Sequence, residues 1–347
     1  MHTEKSIENF GETELIKMIE ELIWERSGKK LYRDDAFYHP LSGIIWGEKG
    51  EEATAVLNSD MFVSTTDAPP QMSPHQMGRK AVIMNISDLV VKGVNPRAII
   101  ISLGLPSTLK VEEFKELIKG IIKCTKRYNM EYIGGDLNQT QELVINPTVI
   151  GFQLKSKIIP RHGAHKGDIL VSNGQFGLTG VGFEILLDVN KNPLNFERYH
   201  RAIKSVLEPS ISEKLAKYVV KEDLANCSID SSDGLAKSLH DLAQANPGQG
   251  FEIDVNHEWI DKEAISYAKE FEVSLKKLVF NGGEEFIHLF SMSPSHFETA
   301  QKALQAKNIP LYRIGKVIDE EKILIREKDE VYALKLRGFE HFKEKTA

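Results

Sequence analysis

The residues of this 347-residue chain best placed to do chemistry are its aspartates, and their settings are what single them out. They fall in five places: Asp34-Asp35, Asp60, Asp88 in Asn-Ile-Ser-Asp, Asp136 in Gly-Gly-Asp, and Asp230 and Asp233 in Asp-Ser-Ser-Asp-Gly. Each lies at the end of an expected strand or in a tight turn. Carboxylate oxygens presented on such loops suit a hard cation such as Mg²⁺, which usually enters sites that also hold phosphates. In Asp-Ser-Ser-Asp-Gly-Leu the acids and hydroxyls stand where a helix begins. The free amides and dipole of that end favour negative charge, whether carboxylate or phosphate. Any one of these aspartates reads equally well as a cap or turn residue. Five such places in one chain point together to a Mg²⁺-dependent phosphate site.

Other phosphate and acyl-transfer devices are missing from the sequence. There is no Gly-x-x-x-x-Gly-Lys-Ser/Thr loop, no protein-kinase His-Arg-Asp and Asp-Phe-Gly set, and no Gly-x-Ser-x-Gly elbow. Gly174, Gly177, Gly180 and Gly182 follow a strand and open a helix, but their spacing is wrong for a dinucleotide fingerprint, leaving a phosphate-approaching or merely tight turn. His162 and His165 read as solvated loop histidines. Arg161 beside a Gly-rich loop has the fork geometry that suits phosphate oxygens, or it is a plain surface arginine. Glu284 and Glu285 follow Gly-Gly at the head of an apolar strand, where a simple turn is an equal reading.

These residues need a scaffold, and hydrophobic periodicity outlines one. Leu15, Ile16, Ile19, Leu22 and Ile23 keep a helical period. Residues 56–63 read as a strand, 80–86 (Ala81, Val82, Ile83, Met84) as a buried strand, and 89–92 as a helical segment ended by Gly93 and Pro96. The run 98–105 reads as a central strand. Val111, Phe114, Leu117, Ile118, Ile121 and Ile122 form an amphipathic helix with Cys124 packed beside it. Strands follow near 132–133 and 143–152. A shift to Pro, Gly and basic residues over 158–167 marks the expected division into domains 1–157 and 158–347. The second half predicts strands at 168–172 and 227–229, helices at 181–187, 211–220 and 235–243, and a hairpin over 323–333. Strands mixed with helices in both halves predict an α/β (α+β) protein.

Composition bounds the rest. Apolar residues make up 41%, so the chain can bury a sizeable core, and its length fits about two domains. The 44 basic and 50 acidic residues leave a net charge of −6, which argues against a nucleic-acid partner. No apolar run is long enough for a membrane span, and residues 1–10 lack a signal core. Two cysteines, Cys124 and Cys227, make no disulfide framework. The expectation is a cytoplasmic protein with no membrane association.

Taken in order, a set of short motifs resembles the thiamine-monophosphate kinase family in its archaeal form. They are Gly11-Glu-x-Glu-Leu-Ile, Asp34-Asp-Ala, Ser59-Asp60, Gly78-Arg-Lys-Ala-Val-Ile-Met-Asn-Ile-Ser-Asp-Leu, Gly104-Leu-Pro and Ile133-Gly-Gly-Asp, then Arg161-x-Gly-Ala-x-Lys-Gly-Asp, Asp230-Ser-Ser-Asp-Gly-Leu, Gly282-Gly-Glu-Glu and Gly338-Phe-Glu-His-Phe. They span nearly the whole chain. The resemblance implies a two-domain, PurM-like architecture, in which N-terminal domains pair into a β-barrel across a homodimer and the C-terminal domain is an α/β sandwich. It implies ATP as co-substrate, Mg²⁺, and conversion of thiamine monophosphate to thiamine diphosphate. By matching position, it implies Asp35, Ser59, Asp60, Asp88, Asp136, Asp230 and Asp233 as metal ligands, with Asp88, Asp136 and Asp233 as the catalytic carboxylates. Gly135, Asp136, Arg161 and Ser232 match nucleotide contacts, and Asp67, Glu284 and Phe339 match the substrate side. The chain departs from the family's pattern at Arg33, Asn58, Leu137 and Asn173. A sibling ATP-dependent kinase or synthetase, or a non-enzymatic dimeric nucleotide-binding paralogue, would share this framework.

Overall fold

The computed structural model describes residues 34–46 and 51–335, with isolated positions between 14 and 25. The apolar positions of the expected first helix lie outside the described residues. Glu14, Lys17, Glu20, Glu21, Trp24 and Glu25, interleaved with them, are helical. Gly11, Arg33 and the Gly338-Phe339 motif also fall outside.

The first half is a six-stranded sheet backed by two long helices. β1 (Phe37–Trp46) and β2 (Glu51–Asn58) form an antiparallel pair, and a short β3 (Phe62–Val63) follows. Helix α1 (Pro74–Val91) leads to β4 (Asn95–Leu105), and α2 (Val111–Arg127) crosses to the parallel strand β5 (Glu131–Gln139) before β6 (Val144–Leu154). Strand order is β1-β2-β6-β4-β5, with β3 also on β6. Along β6 every second residue is buried from Ile145 to Gly151, so one face of the sheet packs on helices and the other is partly exposed. β5 is an edge strand and is exposed along almost its whole length.

Two expectations are corrected here. The expected strand 56–63 is interrupted at Ser59-Asp60-Met61, which form a corner between β2 and β3. The expected strand 80–86 is the middle of α1. Ser73 caps that helix in a reciprocal box with Gln76, and Pro74 supplies its first turn. Residues 81–83 and 85–91 are all buried, because α1 lies between the first sheet with α2 on one flank and β8 and β10 of the second sheet on the other. A helix covered all round loses the polar stripe that would distinguish it from a buried strand. Asp88 therefore projects from a helix, one turn before its C-terminus.

The second half carries a seven-stranded sheet. In chain order its elements are β7 (Ile169–Ser172), α3 (Leu178–Leu186), α4 (His200–Leu207), α5 (Lys214–Glu222) and β8 (Cys227–Ser231). Then come α6 (Leu235–Ala245), β9 (Gly250–Asp254), α7 (Lys262–Glu270), α8 (Leu275–Asn281) and β10 (Ile287–Met292). Helix α9 (Pro294–Gln305) precedes β11 (Tyr312–Ile318) and the hairpin β12 (Ile323–Glu327) with β13 (Glu330–Ala333). Strand order is β13-β12-β9-β11-β7-β10-β8, antiparallel except for β12 on β9. One apolar cluster joins α1, α2 and the first sheet to Val171, Leu215, Val219, Phe290 and Met292. A second, around Phe176, Trp259, Tyr267 and Phe280, lies wholly within the second half. Among the described residues no helix is long and apolar enough to cross a membrane.

Candidate functional site

Four segments deliver carboxylates to one cavity. Asp34 and Asp35 precede β1, Asp60 sits at the corner after β2, and Asp88 comes from α1. Asp230 is the penultimate residue of β8, and Ser232 and Asp233 occupy the turn into α6. With Asn58, Arg161, Lys237 and Asp241 they line a cavity of about 240 Å³. Oxygens of Asp35, Asp88 and Asp230 all lie within 4.8 Å of one another. Three carboxylates converging at that range, with no sulfur or imidazole donor, form an all-oxygen set that fits a hard divalent ion.

The surroundings fix each group. Asn85 is fully buried and brackets the Ser59-Asp60 corner: its Oδ1 accepts from Asp60 N–H (2.8 Å) and its Nδ2 donates to the Asp60 carbonyl (2.9 Å). Asn58 Nδ2 donates to Asp88 Oδ2. Ser87 donates to Asp230 Oδ2 (2.9 Å) and lies 3.4 Å from His288 Nε2. Burial holds His288 neutral, its pKa near 3. Arg161 Nη2 donates to Asp35 Oδ1, and Arg161 N–H donates to Asp34 Oδ2 (3.0 Å). The buried Lys92 ammonium pairs with Asp34 Oδ1 (2.7 Å) and Asp35 Oδ2.

Crowded carboxylates in a water-poor cavity resist ionising together. Burial, then the charges of Asp230, Asp60 and Asp35, pushes Asp88 well above the usual carboxylate range. Burial and the charge of Asp35 push Asp230 up to about 7. Asp34 loses hydration too, yet Lys92 and Arg161 hold it below its ordinary value.

Other expected site residues stand elsewhere. Gly135 and Asp136 lie on the exposed edge strand β5, with Asp136 opposite Ser102 of β4. Gly135 has a packing reason to be glycine, since a Cβ there would sit 1.7 Å from the Ile101 carbonyl oxygen. Ser59 is bound to β6, donating to the Pro147 carbonyl (2.9 Å) and accepting from Thr148 (3.0 Å). Asp67 accepts from Val63 N–H (2.6 Å). Glu284 pairs with the fully buried Lys80 at 2.5 Å, Lys80 also donates to the Asp67 carbonyl, and Glu284 Oε2 is buried without a hydrogen-bond partner. Phe339 is outside the described residues.

The glycine-rich turn is a tight turn that already holds a protein carboxylate. Gly177 opens α3 with φ 102°, and its N–H donates to Glu285 Oε1 at 2.7 Å. Asn173, one of the departures, ties two strands: its Oδ1 accepts from His288 N–H and its N–H donates to the His288 carbonyl. Sequence reasoning missed Lys80, Asn85 and Lys92. The signal for the two lysines is a charge inside an otherwise apolar run, which has to find a partner when buried.

Comparison with known proteins places this geometry in context. The family model described as AIR synthase related protein, N-terminal domain, matches residues 34–153. A thiamine-monophosphate kinase of Nitrosopumilus maritimus (strain SCM1) is 31% identical over 288 residues, 83% of this chain and 89% of that relative. One from Pyrococcus horikoshii is 28% identical over 317 residues, 90% of this chain and 94% of the relative. The solved structure of AaThiL complexed with AMPPCP and TMP shares the fold, with a TM-score of 0.80 at 23% identity, covering 98% of this chain and 99% of that one.

Proposed function

This chain belongs to the thiamine-monophosphate kinase family, and we propose that it transfers the γ-phosphoryl group of ATP to thiamine monophosphate, giving thiamine diphosphate and ADP. The observation that carries the reading is the convergence of Asp35, Asp88 and Asp230 in one acidic cavity, beside the turn that opens α6. These three aspartates would hold Mg²⁺, with Asp60 and Asp233 on the same cavity wall; Asp136, on the exposed strand β5, is not among the residues that line it. Mg²⁺ there supplies the charge neutralisation that lets two polyanionic phosphates approach.

The chain's own groups do the positioning. α6 begins at Leu235 behind Gly234, a cap residue with no side chain to bond the first amides, which leaves them, next to Ser232 and Asp233, available to a phosphate. Arg161 keeps Asp35 aimed at the cavity. The acceptor is itself a phosphate, with a second pKa near ~6, so no strong base is required. A direct in-line transfer also suits the thiols: Cys124 and Cys227 are buried, and burial pushes both up to about 11, which makes them poor nucleophiles. On the substrate side, Glu284 presents an unpartnered oxygen, with Asp67 tied to the same lysine. Phe339 would stack on the cationic heterocycle.

We further propose a homodimer joined through the first sheets. The exposed edge β5 carries Ile133 and Leu137, 58% and 61% exposed, and such an edge calls for a partner. The domain division at 157/158 accords with the passage of the chain from the first sheet to the second between Leu154 and Ile169. Asp88→Asn and Asp230→Asn test the mechanism. Each should lower turnover with ATP and thiamine monophosphate by 100-fold or more, on the order of 3 kcal/mol of barrier, with unchanged circular dichroism. Near-normal turnover in both would contradict it.

A further inference from the structure

One charge near the cavity has no part in the mechanism above. Lys92 caps the C-terminus of α1, one turn after Asp88, and its side chain is fully buried. It stands behind the cavity wall, against two residues that form the wall, Asp34 and Asp35. Its ammonium donates to the Ser228 carbonyl at 2.8 Å and forms ion pairs with Asp34 Oδ1 at 2.7 Å and with Asp35 Oδ2, an oxygen that has no hydrogen-bond partner. Ser228 Oγ lies at 3.4 Å as well. The C-terminal end of α1 adds a favourable dipole for a cation. Arg161 and Lys237 are the cations lining the cavity among the described residues. Arg161 holds Asp35 Oδ1, and Lys237 is committed to Asp241 at 2.7 Å.

Asp35 therefore faces a protein cation at each oxygen, the Arg161 guanidinium at Oδ1 and the Lys92 ammonium at Oδ2, and a metal would have to share both with them. Without Lys92, two adjacent buried carboxylates would keep one guanidinium, bonded to Asp35, and one backbone N–H, bonded to Asp34, and assembling the site would fall to the divalent ion itself. Resting on the metal reading above, we propose that Lys92 is a tethered counter-cation. It assembles the Asp34-Asp35 side of the site before metal arrives, and in doing so weakens divalent-cation affinity by occupying Asp35. Lys92 is a positioning residue in this account, acting through Asp35 without touching substrate. A merely structural role, a tie from α1 to Ser228 of β8, would leave metal affinity alone.

The test is Mn²⁺ binding to the full chain without nucleotide or thiamine monophosphate, followed by calorimetry and by the electron paramagnetic resonance of free Mn²⁺. Wild type, Lys92→Met and Lys92→Arg are compared. Removing the charge should tighten Mn²⁺ binding by about tenfold, while arginine should stay within about threefold of wild type. The metal-free melting temperature of Lys92→Met should fall, and saturating Mg²⁺ should restore more of it than Mg²⁺ adds to wild type. Lys92→Gln, which keeps a donor toward Ser228, gives the same comparison where the Met variant folds only with metal. Equal or weaker Mn²⁺ binding in both neutral variants would overturn the proposal, as would an equal tightening in Lys92→Arg. A wild-type chain that takes up no Mn²⁺ would overturn the metal reading as well, whereas wild-type binding with no change in the neutral variants overturns Lys92's role alone.

Discussion

Replacing Lys80 by methionine should cost about 3 kcal/mol of stability and should be felt by Glu284 and Asp67, the residues proposed for the substrate side. Lys80 comes from α1 in the first half, and Glu284 from the loop before β10 in the second. Their ion pair is 2.5 Å long, with the lysine side chain fully buried and the glutamate 23% exposed. Breaking a buried pair by removing one partner typically costs ~3–5 kcal/mol. The exposure of Glu284 lets water take up part of the stranded charge, reducing that share to roughly 2 kcal/mol. The Asp67 carbonyl loses its charged donor too, adding about 1 kcal/mol. In a chain of this length the sum should lower the melting temperature by about 4 °C. The assay is a thermal-scan double-mutant cycle of wild type, Lys80→Met, Glu284→Gln and the double variant. The double variant should recover at least about 1 kcal/mol, because the uncompensated charge is gone. Kinetically, Lys80→Met should raise KM for thiamine monophosphate more than it lowers kcat. A Lys80→Met melt within about 1 °C of wild type, or a cycle with no coupling, would refute the reasoning.

Two further outcomes concern pH. Burial pushes Glu285 up to about 8 against an ordinary 4.5, outweighing the amides of Gly177, Thr179 and Leu178, so the folded chain holds this proton longer than the unfolded one. Stability should therefore fall as pH rises from about 4.5 to about 8, by up to about 1.4 kcal/mol per pH unit from this group. Glu285→Gln should flatten that part of a urea-midpoint profile, and an unchanged profile would contradict the assignment. In the metal-free chain the raised pKa values of Asp88 and Asp230, the latter near 7, mean that a divalent ion must displace protons. Mn²⁺ affinity should climb from pH 6 to pH 8, with proton release seen as a dependence of calorimetric heat on buffer ionisation enthalpy. A flat profile with no proton release would count against the cluster as a metal site.

Much of the site was legible because acids at loop ends are a local signal. Ser232 and Asp233 stand in the turn the motif predicts, before α6, with Asp230 just ahead of them in β8, and the α2 stripe and the 323–333 hairpin fold as their periodicity dictates. The misreading of 80–86 has a physical cause. Periodicity reports contrast between faces, and α1 has almost none, because both sheets cover it. Ser73-Pro74 and Gln76 marked its start and were the better guide. Buried counter-charges were less visible still. Lys80 and Lys92 find partners 204 and 58 residues away in sequence, at Glu284 and Asp34, and no local pattern encodes such a pairing. Gly177 shows the converse: a glycine-rich helix start was read correctly as a turn, but its amides are taken by Glu285 from more than 100 residues downstream.

The central claim, transfer of phosphate from ATP to thiamine monophosphate, is tested most directly by product stoichiometry. Purified chain is incubated with Mg²⁺ and ATP, with and without thiamine monophosphate; ADP is quantified and the thiamine product identified by mass. The account predicts ADP and thiamine diphosphate in equal amounts, and little ADP without the acceptor. ADP release that ignores thiamine monophosphate, or an acceptor recovered unchanged, would contradict it.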